Sequence, residues 1–193
     1  MSIKLQPFFF VRHGRTAWNQ RQLCQGHTDI PLDETGKREA EMLRHLLKNR
    51  SFPHVFSSPL LRAYETAKIA FPGQEIKLVD DLKERGWGQM EGVSSEAMYV
   101  VERKEEESPL FDPGLGIESR AAFKERIVRG INYAFDHSKG VPPLLVSHGR
   151  LFLVLGEILN IPPIRQIPNA SLIECAPLHN RWQMFIHSSS KEE

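Results

Sequence analysis

The chain has 193 residues, 40% of them hydrophobic and 25% charged, with a formal net charge of +1. That length and composition suit one globular domain, which buries roughly 70% of its unfolded surface and needs no staples. The balanced charge gives no global attraction to nucleic acid or anionic membrane, and the two cysteines, Cys24 and Cys175, show neither metal-ligand spacing nor a disulfide framework.

The first strong signal is Phe8-Phe9-Phe10-Val11, which runs into Arg12-His13-Gly14-Arg15-Thr16. A short aromatic and β-branched run stopped by glycine predicts a strand buried on both faces, with the polar residues at its carboxyl end. The run is far too short to span a membrane and lacks a small-residue cleavage site, so the expected location is the cytoplasm. A polar stretch from 14 to 32 follows and includes Trp18-Asn19 and Gln25-Gly26. It is long for a simple connection, as binding loops often are. Asp33 suits the N-cap of a helix running to about residue 49, with Ala40, Leu43, Leu46 and Leu47 at helical spacing.

Val55-Phe56 is a second short strand that ends in Ser57-Ser58-Pro59. Ser58 suits an N-cap and Pro59 a first helical position, with the helix continuing to Ala70. Arg62 falls in its first turn, where a cation gains nothing from the helix dipole unless an anion shares the site. A surface pair with Glu65 is the competing reading. Residues 76–79 read as a third strand. Residues 82–92 hold three glycines, Trp87, Glu84 and Glu91, and form a loop able to carry a carboxylate into a site.

Residues 94–107 look helical, and the charged run 102–107 reads as a solvated face. A loop covers 109–116, and Ser119 caps a long helix to about residue 137, with Phe123, Ile127, Ile131, Ala134 and Phe135 as its buried stripe. The opening pattern then returns: Leu144-Leu145-Val146 runs into Ser147-His148-Gly149-Arg150. The next helix carries Leu151, Val154, Leu155, Ile158 and Leu159 on one face. Residues 171–176 and 182–186 form a final pair of strands, antiparallel if the short loop joins them directly. The last six residues, 188–193, are expected to be disordered. Strands alternating with helices imply a largely parallel sheet covered on both faces. Two histidines at two strand ends, with arginine nearby, point to an anion in the crevice where such sheets bind ligands.

Taken together, these motifs resemble the histidine phosphatase superfamily, also called the phosphoglycerate mutase-like family. Arg12-His13-Gly14, Trp18-Asn19, the segment from Gly26 to Leu32, and Thr35-Gly36 are similar to its first signature. Ser57-Ser58-Pro59-Leu60-Leu61-Arg62-Ala63 with Thr66-Ala67 is similar to the second. Leu82, Glu84, Gly88 and Glu91-Gly92 match the third, Ser147-His148-Gly149 the fourth, and Glu118-Ser119 with Arg126 the segment between them. The resemblance implies an α/β three-layer sandwich with a mostly parallel central sheet and helices on both faces. It implies one domain over 1–193, with 86–117 as a small lid insertion.

It further implies a phosphomonoesterase with His13 as nucleophile and Glu84 as proton donor. Arg12, Arg62, His148 and Asn19 would hold phosphoryl oxygens, with Gln25, Gly26 and Gly149 beside them. No metal and no cofactor is implied, and the partner is a small phosphorylated substrate. The chemistry is consistent. Nearby guanidinium groups keep an imidazole neutral and offset a dianionic ester, and an arginine fork matches phosphate geometry. Phosphoryl transfer depends mainly on positioning and charge stabilisation. Two positions depart from the family pattern. Arg15 stands where glutamate or glutamine is usual, and Arg150 where many members have a small residue. Each either faces the pocket mouth or pairs with a carboxylate such as Glu91 or Glu157, and pairing is the favoured reading. Trp87, Met90, Met98 and Tyr99 make either an apolar wall for the substrate or a small core of the lid. A mutase is the alternative activity, disfavoured because the 86–117 segment is short, and a non-catalytic phosphate-binding module is a third reading. Neither substrate nor oligomeric state follows from the sequence.

Overall fold

A strand that feeds a helix and rejoins the same sheet does so as a parallel strand. The computed structural model describes residues 2–108, 111–162, 164, 167–179 and 181–187, and its first four strands obey that rule, whereas the strand after the last helix joins the sheet antiparallel. Strands β1 (Phe8–Arg12), β2 (Val55–Ser57), β3 (Ile76–Leu78), β4 (Leu144–Ser147), β5 (Leu172–Leu178) and β6 (Arg181–His187) form one sheet in the order β3-β2-β4-β1-β5-β6. Strands β1 to β4 are mutually parallel. Strand β5 runs antiparallel to β1, and β6 antiparallel to β5, so the expected final pair is present.

The helices are α1 (Ala17–Gln20), α2 (Glu34–Leu47), α3 (Leu61–Ala70), α4 (Ser95–Glu107), α5 (Arg120–His137) and α6 (Gly149–Ile158). Successive side chains of a strand point to opposite faces, and β1 shows why its apolar run is continuous. Phe8 and Phe10 pack with Ile127, Ile131 and Phe135 of α5 and with Leu151, Phe152 and Leu155 of α6. Val11 packs on the other side with Leu43 and Leu47 of α2 and Ala63 and Ala67 of α3. Phe10 meets Phe152 at 5.1 Å between ring centroids, and Phe9 meets Phe52 at 5.0 Å. Full burial of a ring such as Phe8, Phe10 or Phe152 stabilises the fold by about 1.5–3 kcal/mol. The architecture is therefore the three-layer sandwich the pattern implied.

Two helix caps follow the sequence: Asp33 accepts from Gly36 N at 2.8 Å and Ser119 from Ala122 N at 3.2 Å. Ser94, read from sequence as the first helical residue, is the cap of α4 and accepts from Glu96 N at 3.2 Å. One helix start does not follow the sequence. The cap of α3 is Leu60, which makes no side-chain cap bond, and Pro59 precedes the helix instead of opening it. The hydroxyl of Ser58 is turned toward His148 instead.

Register decides what this scaffold presents. Arg12 pairs with Ser147, Ser57 with Val146, and Ser57 with Leu78. The residues that follow each strand therefore share one edge of the sheet: His13 after β1, Ser58 after β2, Val79 after β3 and His148 after β4. Residues 87–99 reach over that edge. They are stitched to the first loop by Cys24 N donating to Val93 O and Gly92 N donating to Cys24 O, both at 2.8 Å. Cys24, Trp87 and Met98 form a small apolar cluster of their own, with Met90 packed against it. No helix among the described residues is long and apolar enough to cross a membrane. The tail 188–193 lies outside the described residues.

Candidate active site

The sheet edge opens into a cavity of about 740 Å³, lined by Arg12, His13, Asn19, Gln25, Gly26, Arg62, Glu84, Gly149 and Arg150, among others. Nine of the residues predicted from sequence thus meet in one place, although they span 138 positions from Arg12 to Arg150.

His13 is held from two sides. Its backbone N–H donates to Ser147 O at 2.9 Å, extending the β1–β4 ladder by one residue. Its Nδ1 lies 2.7 Å from the carbonyl of Gly14. A carbonyl only accepts, so Nδ1 carries the proton and Nε2 keeps its lone pair. Burial, with Arg62 and Arg12 alongside, holds the imidazole well below its ordinary pKa. The ring is therefore neutral at pH 7. Gly14 fits beneath it because α2 comes very close: a Cβ on Gly14 would lie 2.5 Å from Gly36 O.

Arg62 is fully buried. Its Nη2 donates to Gly26 O at 2.8 Å and its Nη1 to Thr28 O at 3.0 Å. Burial lowers its pKa to about 10, still far above 7. The surface pair with Glu65 does not form; Glu65 accepts from Leu32 N at 2.8 Å instead. Arg12 donates through Nη1 to Ile167 O, and burial lowers its pKa as well. The Nε atoms of both arginines, and Nδ1 of His148, are buried without a hydrogen-bond partner among the described residues. Buried polar groups are nearly always paired.

His148 does not line the cavity wall. It is fully buried, with its ring 5.2 Å from that of His13 and its Nε2 2.8 Å from Ser58 Oγ. Burial, then Arg62 and His13, lower its pKa well below the ordinary value.

Glu84 follows β3 at the same edge. Its Oε1 accepts from Arg85 N and Leu151 N, and its Oε2 from Arg150 N, each at 3.1 Å. Two of those donors are the free amides at the start of α6, where a helix favours an anion. The backbone beneath is pinned too: Arg126 Nη2 donates to Glu84 O at 2.7 Å, and His27 Nε2 donates to the same oxygen at 2.8 Å. Arg126 is itself bound to Glu118 at 2.6 Å.

Glu91, the other carboxylate of that loop, does a different job. It accepts from His27 N, Thr28 N and Trp87 N at 2.8, 2.8 and 3.1 Å, and from the Thr28 hydroxyl at 2.5 Å. Burial works to raise its pKa, but these bonds outweigh it and hold the carboxyl below its ordinary value. It packs so tightly on Gly26, at φ +52°, that a Cβ there would lie 2.1 Å from Oε1. Glu91 thus secures the loop whose carbonyls grip Arg62.

The two unusual arginines separate. Arg15 does not reach the cavity: its Nε donates to Asp33 Oδ2 at 2.8 Å, and its amide to Glu39 at 2.7 Å. Arg150 does line the cavity, stacked 4.7 Å over the ring of Tyr99 and paired with Glu102 at 3.2 Å. Both are paired, as favoured, but with other carboxylates than Glu91 and Glu157. The run 102–107 is accordingly not a wholly solvated face. Glu102 and Glu105 lie one turn apart, and Glu105 receives both terminal nitrogens of Arg85, at 2.6 and 2.8 Å. Trp87, Met98 and Tyr99 line the cavity while Trp87 and Met98 also build the small core, so the two readings of those residues hold together. Sequence reasoning missed Ser58, and it missed Asn169, which lines the cavity and donates to His13 O at 2.8 Å.

Comparison with known proteins agrees with this geometry. A model of the histidine phosphatase superfamily (branch 1) matches residues 8–187. The Bacillus subtilis (strain 168) protein named Uncharacterized phosphatase PhoE is 34% identical over 183 residues, covering 90% of each chain. The Probable phosphoglycerate mutase GpmB of Yersinia enterocolitica is 32% identical over 162 residues, covering 80% of this chain and 75% of that one. Among solved structures, a mycobacterial glucosyl-3-phosphoglycerate phosphatase complexed with VO3 superposes with a TM-score of 0.77 at 25% identity, over 96% of this chain and 100% of that one. A Thermus thermophilus protein, TTHB049, superposes with a TM-score of 0.73 at 30% identity, over 92% and 97%.

Proposed function

Since this chain belongs to the histidine phosphatase superfamily, branch 1, we propose that it hydrolyses small phosphomonoesters in two steps through a phosphohistidine on His13. The observation that carries this reading is a neutral imidazole, its Nδ1–H held by Gly14 O, in a cavity also lined by Arg12 and Arg62, whose Nε atoms are buried without a partner among the described residues.

In the first step Nε2 of His13 attacks phosphorus. The bond from phosphorus to the ester oxygen breaks, and the departing oxygen takes the proton of Glu84. Arg12, Arg62 and the Nδ1–H of His148 hold the phosphoryl oxygens as charge shifts onto them, with Asn19, Gln25, Gly26 and Gly149 around them. In the second step water attacks the phosphohistidine and gives a proton to the Glu84 carboxylate. The N–P bond breaks, and inorganic phosphate leaves. The amides of Arg85, Arg150 and Leu151 fix Glu84 in place for both transfers. A preorganised polar site of this kind is the largest single source of rate enhancement in many enzymes. No step is assigned to a metal or cofactor. On this reading the chain is one domain, and 86–117 is its lid. Arg150 stands at the mouth, but its charge is matched by Glu102, so the lid offers no strong demand for a second anion.

Relatives carry both phosphatase and mutase names. Hydrolysis is favoured because the PhoE protein and the mycobacterial neighbour are both called phosphatases and cover nearly the whole chain. The two activities separate on one assay. Hydrolysis predicts release of inorganic phosphate from a panel of phosphomonoesters with no isomerised phosphoglycerate. Isomerisation faster than phosphate release would make the protein a mutase.

A further inference from the structure

The hydroxyl of Ser58 has one proton and, among the described residues, one place to put it. Ser58 is fully buried. Its Oγ accepts from Leu60 N at 3.3 Å, and its only other partner among the described residues is Nε2 of His148 at 2.8 Å. If Nε2 carried a proton, the Ser58 O–H would be a buried donor without an acceptor, an arrangement native structures avoid. The hydroxyl therefore donates to Nε2, which must hold a lone pair. The single proton of the neutral ring then sits on Nδ1. That nitrogen is one of the three buried atoms without a partner, and the other two are guanidinium nitrogens of Arg12 and Arg62. In the opposite tautomer Nδ1 would carry a lone pair and could only repel a phosphoryl oxygen.

We propose that Ser58 is a positioning residue that fixes His148 as its Nδ1–H tautomer, making it a neutral hydrogen-bond donor to the phosphoryl group. The two histidines then share a tautomer and differ in which atom is free. His13 spends its Nδ1–H on Gly14 O and presents a lone pair. His148 has its Nε2 lone pair taken by Ser58 and presents a proton. One ring is set to attack and the other to bind, with neither of them charged. The acceptor of the Nδ1–H is taken from the hydrolase reading above; the tautomer itself is not.

The test is long-range proton–nitrogen correlation on the ¹⁵N-labelled full chain near pH 7. His148 is identified among the eight histidines by the signal lost in His148→Asn. The wild type should show a protonated Nδ1 and an unprotonated Nε2. Ser58→Ala should bring in the other tautomer and weaken binding of orthovanadate, measured by calorimetry, on the order of 10-fold, the scale of one hydrogen bond. Ser58→Thr, which keeps the hydroxyl, should recover most of both. A wild-type ring protonated on Nε2 overturns the proposal, as does Ser58→Ala with tautomer and orthovanadate binding unchanged. If the tautomer and orthovanadate results come out as expected but the wild type releases no phosphate from any ester, the hydrolase reading fails and the role of Ser58 stands.

Discussion

Removing Arg62 should damage folding and catalysis together, and the structure says by how much. The side chain is fully buried and gives two charge-assisted bonds to the carbonyls of Gly26 and Thr28. Bonds of that kind contribute about 1.5–3 kcal/mol each. Against them stands the charge itself: burial lowers the pKa from 12.5 to about 10, a penalty of about 3 kcal/mol at 1.36 kcal/mol per unit. Truncation to alanine also leaves a hole worth about 2 kcal/mol or more. The net loss of stability for Arg62→Ala is then about 2–5 kcal/mol, which for a chain of this length lowers Tm by about 4–20 °C. Loss of a preorganised donor should cut kcat/KM of the folded fraction by about 10²–10³. Urea titration gives the first quantity, and initial rates normalised to folded protein give the second. The stabilisation that orthovanadate confers on the wild type should also shrink, because it grows with affinity for the folded state. Wild-type stability in Arg62→Ala would show that the grip on the Gly26–Thr28 loop contributes nothing. A stability loss with kcat/KM intact would leave Arg62 a structural residue and refute its place in the site.

The two carboxylates of the 82–92 loop should respond differently. Glu84→Gln can keep its oxygen at the Oε1 position, between Arg85 N and Leu151 N, but has no proton to give at neutral pH. Hydrolysis of alkyl phosphates should fall by about 10²–10⁴, p-nitrophenyl phosphate should suffer much less in the first step, and phosphohistidine should accumulate as a burst. Glu91→Gln breaks part of the bonding to Thr28 and should lower kcat/KM by about 10-fold for all leaving groups alike, without a burst; selectivity in Glu91→Gln instead would transfer the acid role to Glu91. Acid should also destabilise the fold. His13 and His148 have pKa values well below 6.5 when folded, so below that pH the unfolded chain binds protons that the folded chain does not. Each then removes about 1.4 kcal/mol per pH unit. Stability measured between pH 6 and 4.5 should fall less steeply in His13→Ala by about that amount, and identical slopes would contradict the neutral buried ring.

Much of this was legible because strand signals and site signals coincide. A β-branched and aromatic run must be buried, and the glycine that stops it marks where the chain turns out of the sheet. Doing so twice, at Phe8–Arg12 and Leu144–Ser147, placed two histidines at sheet ends before any register was known. Caps at Asp33 and Ser119 were readable because they bond within their own first turns. What the sequence hid depends on segments far apart in the chain. The sequence placed Arg62 near a site but not its burial, because its own helix does not bury it; the Gly26–Thr28 loop does, and Glu91 anchors that loop from 63 residues away. Glu102 and Glu105 look solvated until α4 meets Arg150 and Arg85. Ser58 carries every local sign of a helix cap and uses its hydroxyl 90 residues along the chain. The four-residue α1 was missed because none of it is buried, so no apolar period announces it.

The central claim is that phosphorus bonds to Nε2 of His13. The direct measurement is rapid acid-free quench of the wild type with a ³²P-labelled phosphomonoester, followed by peptide mapping. Acid-labile, base-stable label should appear on the peptide that contains His13, with no label or turnover in His13→Ala. Label retained in His13→Ala, on His148 or any other residue, or turnover by that variant at the wild-type rate, would contradict it.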